Sequence, residues 1–95
     1  LLDEAVPDDV LAKVRATIAQ EATGAVEAHD LRTRHAGQAT FIEFHLVVPG
    51  DQTVAAAHET CDRIEAALKA VVKDCVVTIH VEPEFKAKHS GIVVL

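Results

Sequence analysis

The stretch ATFIEFHLVV, residues 39–48, decides how the rest of the chain folds. Along an extended backbone successive side chains point to opposite faces, so Ile42, Phe44, Leu46 and Val48 share one side and Phe41, Glu43, His45 and Val47 the other. The first set is wholly apolar and calls for a covering layer. A second stretch, CVVTIHVEP at 75–83, repeats the pattern: Cys75, Val77, Ile79 and Val81 form an apolar row, Val76, Thr78, His80 and Glu82 a mixed one, and Pro83 stops the strand. Between the two lies TVAAAHETCDRIEAALKAVV, which places Val54, Ala57, Cys61, Ile64, Leu68 and Val71 on one helical stripe with Thr53 in position to cap its start.

A strand, a helix and a strand in that order form a crossover unit, which sets the two strands parallel. Upstream, AVEAHDLRTRH is joined to the central strand by the short turn AGQ, so it is predicted to be the antiparallel partner in a hairpin. Its alternation is too irregular to assign a face to His29. Further upstream, PDDVLAKVRATIAQEATG opens on Pro7 and two acids and carries Val10, Val14 and Ile18, with Leu11 beside them, at helical spacing until Gly24. The expected fold is α+β with element order αββαβ: a three-stranded mixed sheet, the second strand central, both helices on one face. Residues 84–95 are expected to form a flexible tail.

Composition limits what this fold can do. A chain of 95 residues is one domain with one modest core, and its 49 % hydrophobic content is mainly Ala and Val with three aromatics. Such a thin core would gain from a partner subunit. A net charge of −6 argues against a nucleic-acid surface and makes cations the natural partners. Cys61 and Cys75 form no CxxC and are read as small apolar groups in a reducing compartment. The chain has no Met and opens on Leu1, so it is read as a piece of a longer polypeptide. No apolar run approaches the roughly 18 residues of a membrane span, and any such span is expected in the missing part.

Six histidines, His29, His35, His45, His58, His80 and His89, are the residues through which this acidic chain would hold a cation. Neutral imidazole binds zinc and similar borderline ions, and a carboxylate supplies charge. His45 and His80 fall on the same face of neighbouring strands, with Glu82 two residues beyond His80. Neighbouring strands lie roughly 5 Å apart, so one ion can reach both rings. His58 sits at the edge of the buried stripe of the second helix. His35 lies at the hairpin end and reads as a solvated side chain, and His89 lies in the tail. No HxH, HExxH or CxxC pattern is present, so spacing by itself carries little weight.

The segments HDLRTR, FIEFHL, AHETCDRIE and IHVEP, in that order, resemble the cytoplasmic C-terminal domain of the cation diffusion facilitator family of divalent-metal transporters. The resemblance spans nearly all of residues 1–95, with LLDEAVPDD similar to the segment that follows the transmembrane bundle. It implies a ferredoxin-like domain that forms a homodimer and binds Zn²⁺, or Cd²⁺, Ni²⁺, Co²⁺, Cu²⁺, Fe²⁺ or Mn²⁺, near the dimer interface. Carried over residue by residue, the implied metal ligands are His29, His45, His58, His80 and Glu82; zinc members have Asp where Glu82 stands. The expected function is that of a regulatory domain, not an enzyme. It would dimerise a cation efflux transporter at the cytoplasmic face of the inner or plasma membrane, with the transmembrane domain of the same polypeptide as partner, and would close on metal to activate transport. A freestanding metal carrier or store of similar fold is the alternative.

Overall fold

The computed structural model describes residues 5–94. Residues 1–4, which belong to the opening segment expected to follow a membrane bundle, lie outside them. Helix α1 (Asp8–Glu21) starts directly after Pro7, whose fixed φ suits a helix entrance, and Asp8 and Asp9 place negative charge at the positive end of its dipole. It closes with the Ala22 N–H donating to the Ile18 carbonyl, and the chain reverses at Gly24, whose φ of 102° favours glycine. Strands β1 (Glu27–Ala36) and β2 (Ala39–Val48) form the expected hairpin around Gly37. Helix α2 (Val54–Val71) is capped by Thr53, whose hydroxyl accepts from the Ala56 N–H at 3.0 Å. Strand β3 (Cys75–Pro83) then pairs parallel with β2.

Among the described residues the sheet has four strands, not the three expected. After a 3₁₀ turn at Glu84–Lys86 the chain runs back across β1 and adds β4 (Ile92–Val93) antiparallel to it, giving the order β3-β2-β1-β4. The added strand is only two residues long and has no alternating pattern to announce it. Of residues 84–95, expected as tail, the described residues 84–94 include one turn of helix and one sheet edge.

Both helices cover the same face. Val14 and Ile18 of α1, Ala57, Ile64 and Leu68 of α2, and Ile42, Phe44 and Leu46 of β2 form one continuous buried cluster, with Phe44 fully buried. The α2 stripe differs from expectation at its ends. Val54 is 87 % exposed and Val71 is also exposed, while Thr60 faces inward. The hydroxyl of Thr60 bonds back to the Ala56 carbonyl, which leaves its methyl free to pack. Cys61 and Cys75 are half-buried, and burial raises both thiol pKa values. Val81 is exposed because β3 is an edge strand.

Candidate metal centre

Two registers bring three histidines into a row. In the antiparallel hairpin His29 pairs with His45, and in the parallel pair His45 stands opposite His80. The rings follow: the His29 and His45 centroids are 5.5 Å apart, and those of His45 and His80 4.9 Å apart. The row crosses three adjacent strands on the face away from the helices.

A β-bulge in β1 completes the arrangement. The pairing shifts between His29 and Arg32, and Asp30 within it has φ 54°, a left-handed conformation that a short polar side chain tolerates. Strict alternation would send residues 29 and 30 to opposite faces. The bulge instead gathers donor atoms of His29, Asp30 and His45 to within 4.8 Å of one another.

Glu82 lies among the rings. Its Oε1 is 2.8 Å from His29 Nε2 and 3.4 Å from His45 Nδ1, and its Oε2 is 3.8 Å from His80 Nε2. On its other side His29, which is 3 % exposed, bonds through Nδ1 to Glu27 Oε2 at 2.7 Å. Asp30 is 3.4 Å from His45 Nδ1 and is also held by the Lys88 ammonium, with both carboxylate oxygens at 3.0 Å.

The charges are tuned to one another. Burial opposes a charged His29, but hydrogen bonds to Glu27 and Glu82 and the nearby Asp30 outweigh it, so its pKa is raised. The Glu27 pKa is lowered by its bond to His29, against burial and with help from the Lys88 and His89 N–H groups. For Glu82 burial acts upward, and the three histidines more than offset it. Lys88 lowers Asp30. In the metal-free chain a proton on His29 thus sits between two carboxylates.

Of the histidines and carboxylate singled out in the sequence, His29, His45, His80 and Glu82 come together. His58 stands apart: it lines a groove of about 490 Å³ between α2 and β3 with Val77, Ile79 and Val81, on the opposite face of the sheet. Its side chain is 72 % exposed and lies 3.4 Å from Asp62. His35 accepts from or donates to the Thr40 hydroxyl at 2.6 Å near the hairpin end, outside the row. Sequence reasoning missed Asp30 and Glu27. The available signal was the irregular alternation around EAHD, where two acids flank His29.

Nitrogen and carboxylate oxygen are a donor set that suits zinc and related divalent ions. Donors shared by one zinc lie roughly 3–4 Å apart, so the cluster needs only small closing movements to accept one.

The chain is similar in sequence and in fold to known proteins. Residues 6–84 match the family model described as cation efflux protein, cytoplasmic domain. The chain belongs to that family. It is 37 % identical over 83 residues to the cation-efflux pump FieF of Shewanella oneidensis, covering 87 % of this chain and 28 % of the pump. A transporter of Synechocystis sp., itself uncharacterized, is 36 % identical over the same share of the chain and 27 % of its own length. The chain therefore spans about a quarter of the length of these curated relatives. Among solved structures, the Zn form of CzrB, a proposed zinc transporter, superposes with a TM-score of 0.82 at 45 % identity, covering 92 % of this chain and 99 % of that one. The metal-bound C-terminal domain of the CzcD transporter from Thermotoga maritima gives 0.73 at 30 % identity, covering 84 % and 92 %. The fold is the ferredoxin-like one of cation diffusion facilitator C-terminal domains. This is a transporter-domain family and not an enzyme family. Among the described residues no helix is long and apolar enough to cross a membrane.

Proposed function

We propose that this chain is the cytosolic regulatory domain of a divalent-cation efflux transporter, binding Zn²⁺ or a related ion at the histidine row and passing its occupancy to a membrane-embedded part of the same polypeptide. One observation carries the reading: a single carboxylate, Glu82, lies within 3.8 Å of ring nitrogens from three histidines on three adjacent strands. A structural salt bridge needs one such partner. Three nitrogens around one carboxylate, with Asp30 beside them, suit a cation.

In this reading His29, His45, His80 and Glu82, joined by Asp30, bind the ion, which displaces the proton from His29 Nε2. His58 cannot reach the row from its own helix, since the sheet lies between. It completes the site only from a second copy, whose α2–β3 groove would lie against the first copy's row. The exposed Val54 and Val81, beside His58 in that groove, give such a homodimer an apolar contact. Two copies, each with a formal charge of −6, repel one another until cations bind between them, so metal favours a closed dimer by its higher affinity for that state. The membrane-embedded part would place the domain at the cytoplasmic face of the inner or plasma membrane.

Calorimetric titration with zinc, alongside a label pair at Asp8 of each copy, tests the reading. Zinc should bind, His29→Ala and His80→Ala should weaken it, and the label distance should shorten and narrow. Binding without any change in distance would favour a carrier or store. No binding at all would end the proposal.

A further inference from the structure

We propose that Glu27 is the positioning residue of the metal site, and that through it residues 88–93 form a strap whose docking is linked to metal occupancy. The inference rests on the metal-binding reading above and extends it to a segment that supplies no ligand.

Glu27 is 1 % exposed, and both of its carboxylate oxygens accept hydrogen bonds. Oε2 accepts from His29 Nδ1 at 2.7 Å and from the Lys88 backbone N–H at 2.7 Å; Oε1 accepts from the His89 backbone N–H at 3.0 Å. An ionised carboxylate only accepts, so the bond to Glu27 requires a proton on Nδ1. Nε2, the nitrogen facing Glu82, is then the one whose proton a cation displaces. Glu27 thereby selects the tautomer and fixes the ring plane, as the outer carboxylate of a carboxylate–histidine–metal triad does.

The same carboxylate holds the strap, and the strap reaches the site at further points. Lys88 Nζ pairs with Asp30 at 3.0 Å, Ile92 pairs with Ala28 in the sheet, and just beyond the strap the Val94 N–H donates to the Val26 carbonyl at 3.0 Å. Gly91, with φ 71°, crosses directly over β1: a Cβ there would lie 2.6 Å from the Ala28 carbonyl and 3.2 Å from His29 Cα. The strap is thus fastened on both sides of His29, over the backbone that positions its ring. With a cation on Nε2, the Nδ1–H···Glu27 bond is retained, so binding locks Glu27 in the orientation that also holds Lys88 and His89. Undocking the strap would let water reach Glu27 and free the ring.

The test uses this chain with zinc as the probe, in four forms: unaltered, Glu27→Gln, Gly91→Ala and, as the ligand control, His29→Ala. Glu27→Gln keeps the shape but loses the charge and one acceptor oxygen, and is expected to weaken zinc binding about 10–100-fold. Nitrogen NMR of the zinc-loaded unaltered chain should show His29 protonated on Nδ1 and metallated on Nε2, and the variant should lose that single pattern. Zinc should slow amide exchange at Lys88 and His89 in the unaltered chain and not in Glu27→Gln. Gly91→Ala acts on the strap without touching Glu27, and should speed exchange at 88–93 and weaken zinc binding. If Glu27→Gln binds zinc as the unaltered chain does while His29→Ala does not, this proposal falls and the metal site stands. If Gly91→Ala releases the strap at unchanged zinc affinity, the linkage is overturned. If neither the unaltered chain nor any variant binds zinc, the functional reading falls, and this inference with it.

Discussion

The two faces of β2 are built on different principles although their residues alternate along one strand. Ile42, Phe44 and Leu46 point into the helix-covered core and are almost wholly buried, held by apolar contact and shape. Glu43 and His45 point the other way, on the face that also carries the buried Val47, and His45 stands 3.4 Å from two carboxylates. One face uses burial for stability, and the other gathers charge for use. Changes on the first face should therefore alter folding with little effect on ion affinity, and changes at the histidine row on the second should do the reverse.

The sharpest way to break this division is Phe44→Ala. Phe44 is fully buried at the centre of a core with few large side chains, and truncating such a residue costs about 3–5 kcal/mol. Urea denaturation of the metal-free chain should show this loss, whereas His45→Ala, half-exposed on the other face, should stay within about 1 kcal/mol. Comparable losses would mean that the row is itself part of the folding core.

The next largest effect belongs to the ion. If zinc binds the folded chain and not the unfolded one, zinc at 100 times its dissociation constant adds about 2.7 kcal/mol per site. Independent faces require the same increment in Phe44→Ala as in the unaltered chain, and its loss in His29→Ala. Thermal melts with zinc and with chelator measure both. An increment that shrinks in Phe44→Ala would reveal coupling across the strand.

The faces also differed in how far the sequence disclosed them. Alternation and helical stripes were enough for the core, because burial repeats with the period of the element; they failed at Val54 and Thr60, where an Ala-rich helix gives little to fix its inward angle. The neighbouring of His45 and His80 followed from the crossover between parallel strands. His29 entered the set by family resemblance, and its face stayed open because the bulge at Asp30 breaks the alternation on which such an assignment depends. Glu27 and the strap left no periodic trace at all. Their bond joins residues 61 apart in sequence and uses backbone N–H groups, which every residue except proline possesses.

A smaller effect, confined to the histidine row over pH 4–9, comes from pH. In the metal-free row the His29 pKa is raised, so the stability it contributes is fully present below about pH 6.5 and is lost as pH rises through the folded-state value. Glu27 and Glu82 are lowered, so their contribution is present above about pH 4.5 and is lost as pH falls through their folded-state values. Metal-free stability should therefore be greatest between these limits. With zinc the upper limit should vanish, because a metal replaces the His29 proton and binds more tightly as pH rises. Denaturation midpoints from pH 4 to 9, with and without zinc, should diverge above about pH 6.5. Parallel curves would place the ion away from His29.

The smallest effect expected on stability is the most telling for assembly. His58 is largely exposed and its Asp62 neighbour is a surface contact, so His58→Ala should change metal-free stability by no more than about 0.5 kcal/mol. If a second copy supplies His58 to the row, the same substitution should still lower zinc affinity. Mixing distinguishes this from an indirect effect. A chain with His58→Ala keeps its row intact, and a chain with His80→Ala keeps an intact His58. Paired with each other they rebuild one complete site and leave one doubly damaged. Random exchange should then restore tight binding to roughly a quarter of the chains, although neither variant binds tightly on its own. Calorimetry of the mixture should show that high-affinity fraction. Its absence, in chains shown to exchange partners, would return His58 to the α2 surface as a solvated side chain and leave the row complete within one copy.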